Sequence, residues 1–225
     1  MTLLVVVGLA AAGAILHRPL LGTGWMFQVL RLPGNLLHEL AHAVALLACG
    51  FTVVGFSVAL FDPAGRGEVR PGPPWTRFAS VWAASFLSPI APVFVGVPTL
   101  ALLFHLSGAP GLPTALEAVG PTLRAMPWTH ATFWVAMLLA VPVSAEMAPS
   151  DVDLRAWRTP GLIAAAVVAA AILLAEWWVP GAAEHVFRRL DTALARPVAQ
   201  AVSLVAWASV VWIPVGWAVA RVTAR

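Results

Sequence analysis

Lysine and tyrosine are missing from this chain of 225 residues, and cysteine occurs once, at Cys49. All 13 basic residues are therefore arginine, which excludes a Schiff-base lysine for an aldehyde cofactor. A single cysteine permits no intrachain disulfide and no cysteine-built zinc or iron–sulfur site. Without tyrosine, an aromatic belt at a membrane surface has to be drawn from the 11 tryptophans. Charge is the scarcest resource: 10% of residues are charged and 60% hydrophobic, where a soluble domain carries about 25% charged residues. Such a chain cannot cover a globule with polar groups, and it is too apolar and too poor in charge to be disordered. The isoelectric point near 10.9 reflects missing lysine, tyrosine and excess acid, because the net charge is only +3. The arginines are scattered and form no basic stripe, so no nucleic-acid partner is expected.

What is present is long apolar runs with a mean hydropathy of +0.88. At about 20 residues per crossing, the length suits one domain over residues 1–225 of an all-α polytopic membrane protein with about six transmembrane helices. Expected spans are 2–16, then residues 24–50 either as one span broken at Arg31, Pro33 and Gly34 or as a re-entrant piece followed by a helix from Asn35, then 78–104, 125–147, 159–175 and 197–220. The first lacks the positive n-region of a secretory signal and is expected to be retained. Asn35 reads as an N-cap where the chain resumes as helix. Residues 181–196, with Glu184, Arg188, Arg189 and Arg196, read as an interfacial connector. Pro89, Pro92 and Pro98 should kink or break the span at 78–104. The arginines divide evenly between the two sides of such a topology, so they give no orientation.

Residues 51–77 differ from the rest. A β-branched and aromatic stretch at 51–60, FTVVGFSVAL, is followed by the turn Asp62-Pro63-Ala64-Gly65-Arg66-Gly67 and by Glu68-Val69-Arg70 with several prolines. This pattern reads as a small β-like hairpin insert. An open strand edge is not tolerated in lipid, so the insert should lie against protein or a watery cavity.

Just before it, residues 35–50 contain His38-Glu39-Leu40-Ala41-His42, an H-E-x-x-H pattern on an apolar helix. Positions i and i+4 share a helix face, so both imidazoles can address one ion. Glu39, about 100° round the helix from His38, can reach a water beside that ion and act as general base. Zinc lowers the pKa of such a water toward about 7. With six histidines and six glutamates, random placement produces the pattern in roughly 0.4% of such chains. Ionisable side chains in an apolar helix are also costly, at about 2.5–3.5 kcal/mol each on insertion scales. A bare packing role does not justify them.

Catalytic zinc wants a third protein ligand and one open position. The extended HExxHxxGxxH form fails, since positions 45 and 48 are Ala45 and Ala48. Candidates for the third ligand are Glu68, Glu117, Glu146, His105, His130 and His185, and above all the pair Asp151 and Asp153 in Pro149-Ser150-Asp151-Val152-Asp153. The same two aspartates can equally cap the helix that follows, or pair with Arg155 or Arg158.

The combination resembles the site-2 protease family of intramembrane zinc metalloproteases over roughly residues 33–160. The shared features are LLHELAHAV on an apolar helix, the β-like insert GFTVVGFSVALFDPAGRGEV, and a distant aspartate motif, here APSDVDL. The family's usual Asn-Pro and Leu-Asp-Gly form of that motif is absent, and SFLSPIAPVFVG stands where the family often has a Gly-Pro span. The resemblance implies one Zn2+ per chain held by His38, His42 and an aspartate. Asp153, the last position of Ser150-x-x-Asp153, is preferred and Asp151 is the alternative. It implies Glu39 as general base and acid, and a transmembrane or membrane-anchored protein as substrate. The lipid bilayer is the expected surrounding, and heavy use of Ala, Gly, Pro and Arg without Lys suggests a multi-pass protein of a prokaryotic cell membrane. The insert is expected to pair with an unwound substrate strand.

Rival readings fit less well. A non-proteolytic metal-binding carrier should repeat polar positions through several spans, whereas 78–104, 159–175 and 197–220 hold no charged residue. A di-iron oxygenase needs several histidine boxes, and only one close pair exists.

Overall fold

A computed structural model describes residues 25–58, 67–113, 116–147 and 150–223. The expected span at 2–16 and most of the turn at 62–67 lie outside the described residues. The described residues are mostly helical, with one small sheet among them.

The first helix, α1 (Trp25–Ala48), runs without a break through Pro33 and Gly34. Asn35 is therefore inside the helix and does not cap it, because Pro33 removes one N–H without ending the turn. Helical periodicity sorts the residues of α1 cleanly. Leu36, Leu40, Val44 and Leu47 are exposed on one side, while Asn35, Glu39 and His42 are buried on another. Arg31, Asn35, His38 and His42 fall at successive steps of four, three and four, so they line one stripe.

The insert is an antiparallel pair, β1 (Phe51–Ser57) and β2 (Glu68–Pro74), with Phe51 opposite Pro74 and Ser57 opposite Glu68. Two register irregularities lie between Phe51 and Gly55. Pro71, Pro73 and Pro74 leave β2 with few donors, which blunts it as a pairing edge. Trp75 N–H donates to Gly50 O at 2.9 Å and Ser80 N–H to Cys49 O at 3.3 Å, tying the hairpin's base to the end of α1.

Ser80 caps α2 (Val81–Ser107) by accepting from Ala83 N–H at 3.2 Å. Pro89, Pro92 and Pro98 all lie inside α2, which continues through them; the expected break does not occur. A 3-10 turn (Leu116–Ala118) and α3 (Val119–Arg124) lead to α4 (Ala131–Glu146). Residues 125–130, expected within a span, form turns. At 16 residues, α4 is about 24 Å long, short of a hydrocarbon core of about 30 Å. It is instead the centre of the core: Phe133, Met137, Ala140 and Val141 are fully buried against Leu100 of α2 and Leu204, Ala208 and Trp212 further along the chain.

Helix α5 (Asp151–Trp178) packs on α2 and on α6 (Ala182–Thr223). Residues 181–196 and 197–220 are thus not separate segments, since α6 is continuous from Ala182. Trp212 Nε1–H donates to Met137 O at 3.1 Å and Trp207 Nε1–H to Pro110 O at 3.0 Å, fastening α6 to the core. Among the described residues, three helices are long and apolar enough to cross a membrane: Val81–Ser107, Val152–Trp178 and Ala182–Trp212.

Candidate metal centre

Four steps of α1 bring the two histidines together. Their Nε2 atoms are 3.0 Å apart and their rings meet edge to face. The opposite ring nitrogens are engaged elsewhere. His38 Nδ1 lies 2.5 Å from Glu146 O, and His42 Nδ1 lies 2.8 Å from Ser88 O and 3.2 Å from Ser88 Oγ. A carbonyl oxygen only accepts, so each Nδ1 carries the hydrogen. Neither Nε2 then has a proton in the neutral ring. Two lone pairs face each other at hydrogen-bond distance, an arrangement that a shared cation relieves.

The third donor comes from α5. Asp153 Oδ2 is 3.7 Å from His38 Nε2, and Asp153 Oδ1 is 3.6 Å from His42 Nε2. Ligand atoms of His38, His42 and Asp153 all lie within 4.8 Å of one another, and among the described residues theirs is the group of metal-binding type. Tetrahedral zinc with ligands at about 2.0–2.1 Å spaces its donors about 3.3 Å apart, close to what is found. Two neutral imidazoles and a carboxylate, each imidazole anchored through its other nitrogen, make a donor set of the kind that can hold a metal ion. The residues present fit a divalent metal ion.

Local backbone chemistry explains the anchors. The end of α4 at Glu146 and the start of α5 at Asp151 leave two groups without a helical partner. Glu146 O, at the end of α4, takes the hydrogen of His38 Nδ1. Ser150 N–H, at the start of α5, donates to Asp153 Oδ2 at 2.8 Å. Ser150 Oγ–H donates to the same oxygen at 2.6 Å, and Ser150 Oγ accepts from Asp153 N–H at 3.1 Å. This capping box closes α5 and aims the carboxylate in one act. Capping and ligation, which looked like competing roles for Asp153, are compatible because an ionised carboxylate has about four acceptor sites.

Glu146 places an acidic side chain at a helix C-terminus, against the helix dipole. Arg31 compensates: its Nε–H donates to Glu146 Oε1 at 2.6 Å, with an η-nitrogen at 2.5 Å. The two helices touch here because Gly34 has no side chain; a methyl group there would come within 2.3 Å of Pro142 O.

Glu39 is buried. It lies under the start of β2, where a side chain on Gly67 would meet Glu39 Oε1 at 2.3 Å. The hairpin thus covers the candidate base directly.

Among the candidates named from sequence, His38, His42 and Asp153 converge. The side chain of Asp151 lies outside the described residues. Glu146 contributes a backbone oxygen and an ion pair, and it is not in the donor group. Glu68 is on the exposed hairpin, paired with Arg70 at 2.8 Å, which holds its carboxyl below the usual glutamate range. His185 takes a hydrogen bond from Arg189 on the surface of α6. Glu117, His105 and His130 are not part of the group. Sequence reasoning overlooked Ser88 and Arg31. A signal existed for both: Arg31 is two turns before His38, and Ser88 stands four residues before Pro92. No protein-family model, no curated protein and no solved structure matches this chain.

Proposed function

We propose that this protein is an integral-membrane zinc metallopeptidase, akin to the site-2 proteases, that hydrolyses peptide bonds of membrane-protein substrates in or near the bilayer. The observation that carries this reading is the convergence of His38, His42 and Asp153 beside the buried Glu39. His38, His42 and Asp153 would hold one Zn2+, which when bound supplies a Lewis acid and a water that ionises near neutral pH.

The chain's own residues do the rest. Glu39 accepts a proton from the attacking water and returns it to the leaving amine nitrogen, so the amide is cleaved without expelling a free amide anion. Glu146 O and Ser88 O keep the imidazoles in the tautomer that leaves Nε2 available. The hairpin shields Glu39 from bulk solvent. Its proline-free strand, β1, has the backbone donors along its length to pair with an extended substrate, while β2 does not.

A membrane setting accounts for the outward apolar faces. Helix α6, about 63 Å long at about 1.5 Å per residue, exceeds the hydrocarbon thickness twofold. Its charged first half, with the Glu184–Arg188 pair, lies outside the apolar core in this reading and its tryptophan-rich second half inside.

The test is cleavage of a single-span reporter protein by the purified chain in liposomes. Wild type should cut it, and Glu39→Gln should retain zinc but lose about 10^2-fold or more of the rate. A Glu39→Gln variant with wild-type activity would refute the assignment.

A further inference from the structure

In an α-helix the carbonyl of residue i accepts the N–H of residue i+4. For Ser88 that donor would be residue 92, and residue 92 is Pro92, which has no N–H. Ser88 O is nevertheless satisfied, because His42 Nδ1–H reaches across from α1 at 2.8 Å. Pro92 is itself fully buried, so bulk solvent does not reach the carbonyl from its side. The other histidine repeats the logic by different means, using a carbonyl released where α4 ends. Both imidazoles are thus held by carbonyls that their own helices have given up.

We infer that Pro92 is a positioning residue for the metal centre: by withholding an N–H it reserves Ser88 O for His42, and so keeps His42 Nε2 turned toward His38 and Asp153. This deepens the metallopeptidase reading and rests on it for the identity of the ion. The feature that otherwise looks like a helix flaw becomes part of the ligand's support. Restoring the donor with Pro92→Ala lets residue 92 compete for Ser88 O. His42 then loses its anchor and drifts to the other tautomer.

The experiment compares wild type, Pro92→Ala, Pro98→Ala and Ser88→Ala in detergent, with Zn2+ as the probe. Pro98 lies on the same helix and frees the carbonyl of Phe94, six residues beyond Ser88. Three quantities are read: zinc affinity by chelator competition, thermal midpoint of the metal-free protein, and histidine-ring 15N spectra of the metal-free protein. Pro92→Ala should bind zinc about 10–100-fold more weakly, the usual cost of losing an outer-shell partner. Its metal-free midpoint should equal or exceed wild type, because alanine is the better helix residue. His42 should shift from the Nδ1–H toward the Nε2–H form. Pro98→Ala should change neither affinity nor tautomer, and Ser88→Ala, which keeps the carbonyl, far less than Pro92→Ala. Wild-type affinity and an unchanged His42 spectrum in Pro92→Ala would overturn the inference, as would a loss of affinity that merely tracks a lower midpoint. If wild type takes up no zinc, the metallopeptidase reading fails, and the spectra still decide this one. A tautomer shift confined to Pro92→Ala upholds it; identical spectra sink it.

Discussion

Helices α4 and α5 are built from similar apolar residues and live in opposite surroundings. In α4 Phe133, Met137, Ala140 and Val141 are buried by neighbouring helices, whereas in α5 Leu162, Ile163, Val167, Val168, Leu173 and Leu174 are exposed. Yet each contributes to the same site, α4 through Glu146 O and α5 through Asp153. Apolar composition alone therefore does not say which way a helix faces. In a bilayer the outward face is apolar too, because lipid replaces water as the neighbour. The histidines sit on a frame fixed by packing. The aspartate is held by the hydrogen bonds of a helix start.

That contrast can be broken most severely in the frame. Met137→Ala, at a side chain with 0% exposure, should cost about 2–5 kcal/mol of stability, whereas Leu173→Ala, at 71% exposure, should stay within about 0.5 kcal/mol in thermal or denaturant unfolding. Equal losses would mean that α5 is covered by a partner. Next comes Gly34→Ala. Its methyl group would press on Pro142 O and push α1 from α4, so a loss of about 1–3 kcal/mol together with weakened zinc binding is expected. A smaller effect is expected at the aspartate: Ser150→Ala removes the cap and one hydrogen bond to Asp153, costing about 1 kcal/mol in unfolding measurements. Zinc affinity should fall with it, while the histidine spectra stay as they were. Smallest is the exposed hairpin pair. Arg70 lowers the Glu68 carboxyl, so any stabilisation is present at neutral pH and lost as acidification passes through that lowered value. Because both groups are solvated, Arg70→Ala should leave the midpoint at pH 7 unchanged.

Much of the site was legible along the chain. The HExxH spacing, the hairpin's change of composition and the Ser150-x-x-Asp153 cap all rely on near neighbours, and local patterns carry such information. Which carbonyl anchors which histidine was not legible. Glu146 lies 108 residues from His38 and Ser88 lies 46 from His42, so those contacts depend on how helices pack. Asn35 misled for the opposite reason. A proline and a glycine before it resemble a helix start, but the packing of Gly34 against Pro142 lets α1 continue through them. The expected span at 125–147 is realised as the shorter helix Ala131–Glu146, and hydropathy does not distinguish a helix buried in protein from one immersed in lipid.

Three donors sharing one ion are the heart of the proposed site, and zinc content of the purified protein tests that most directly. Wild type should hold one zinc per chain, and His38→Ala, His42→Ala and Asp153→Ala should each lose it while Asp151→Ala keeps it. A wild-type protein that binds no zinc after metal is added back would contradict the account. So would a site that survives loss of Asp153 and disappears with Asp151.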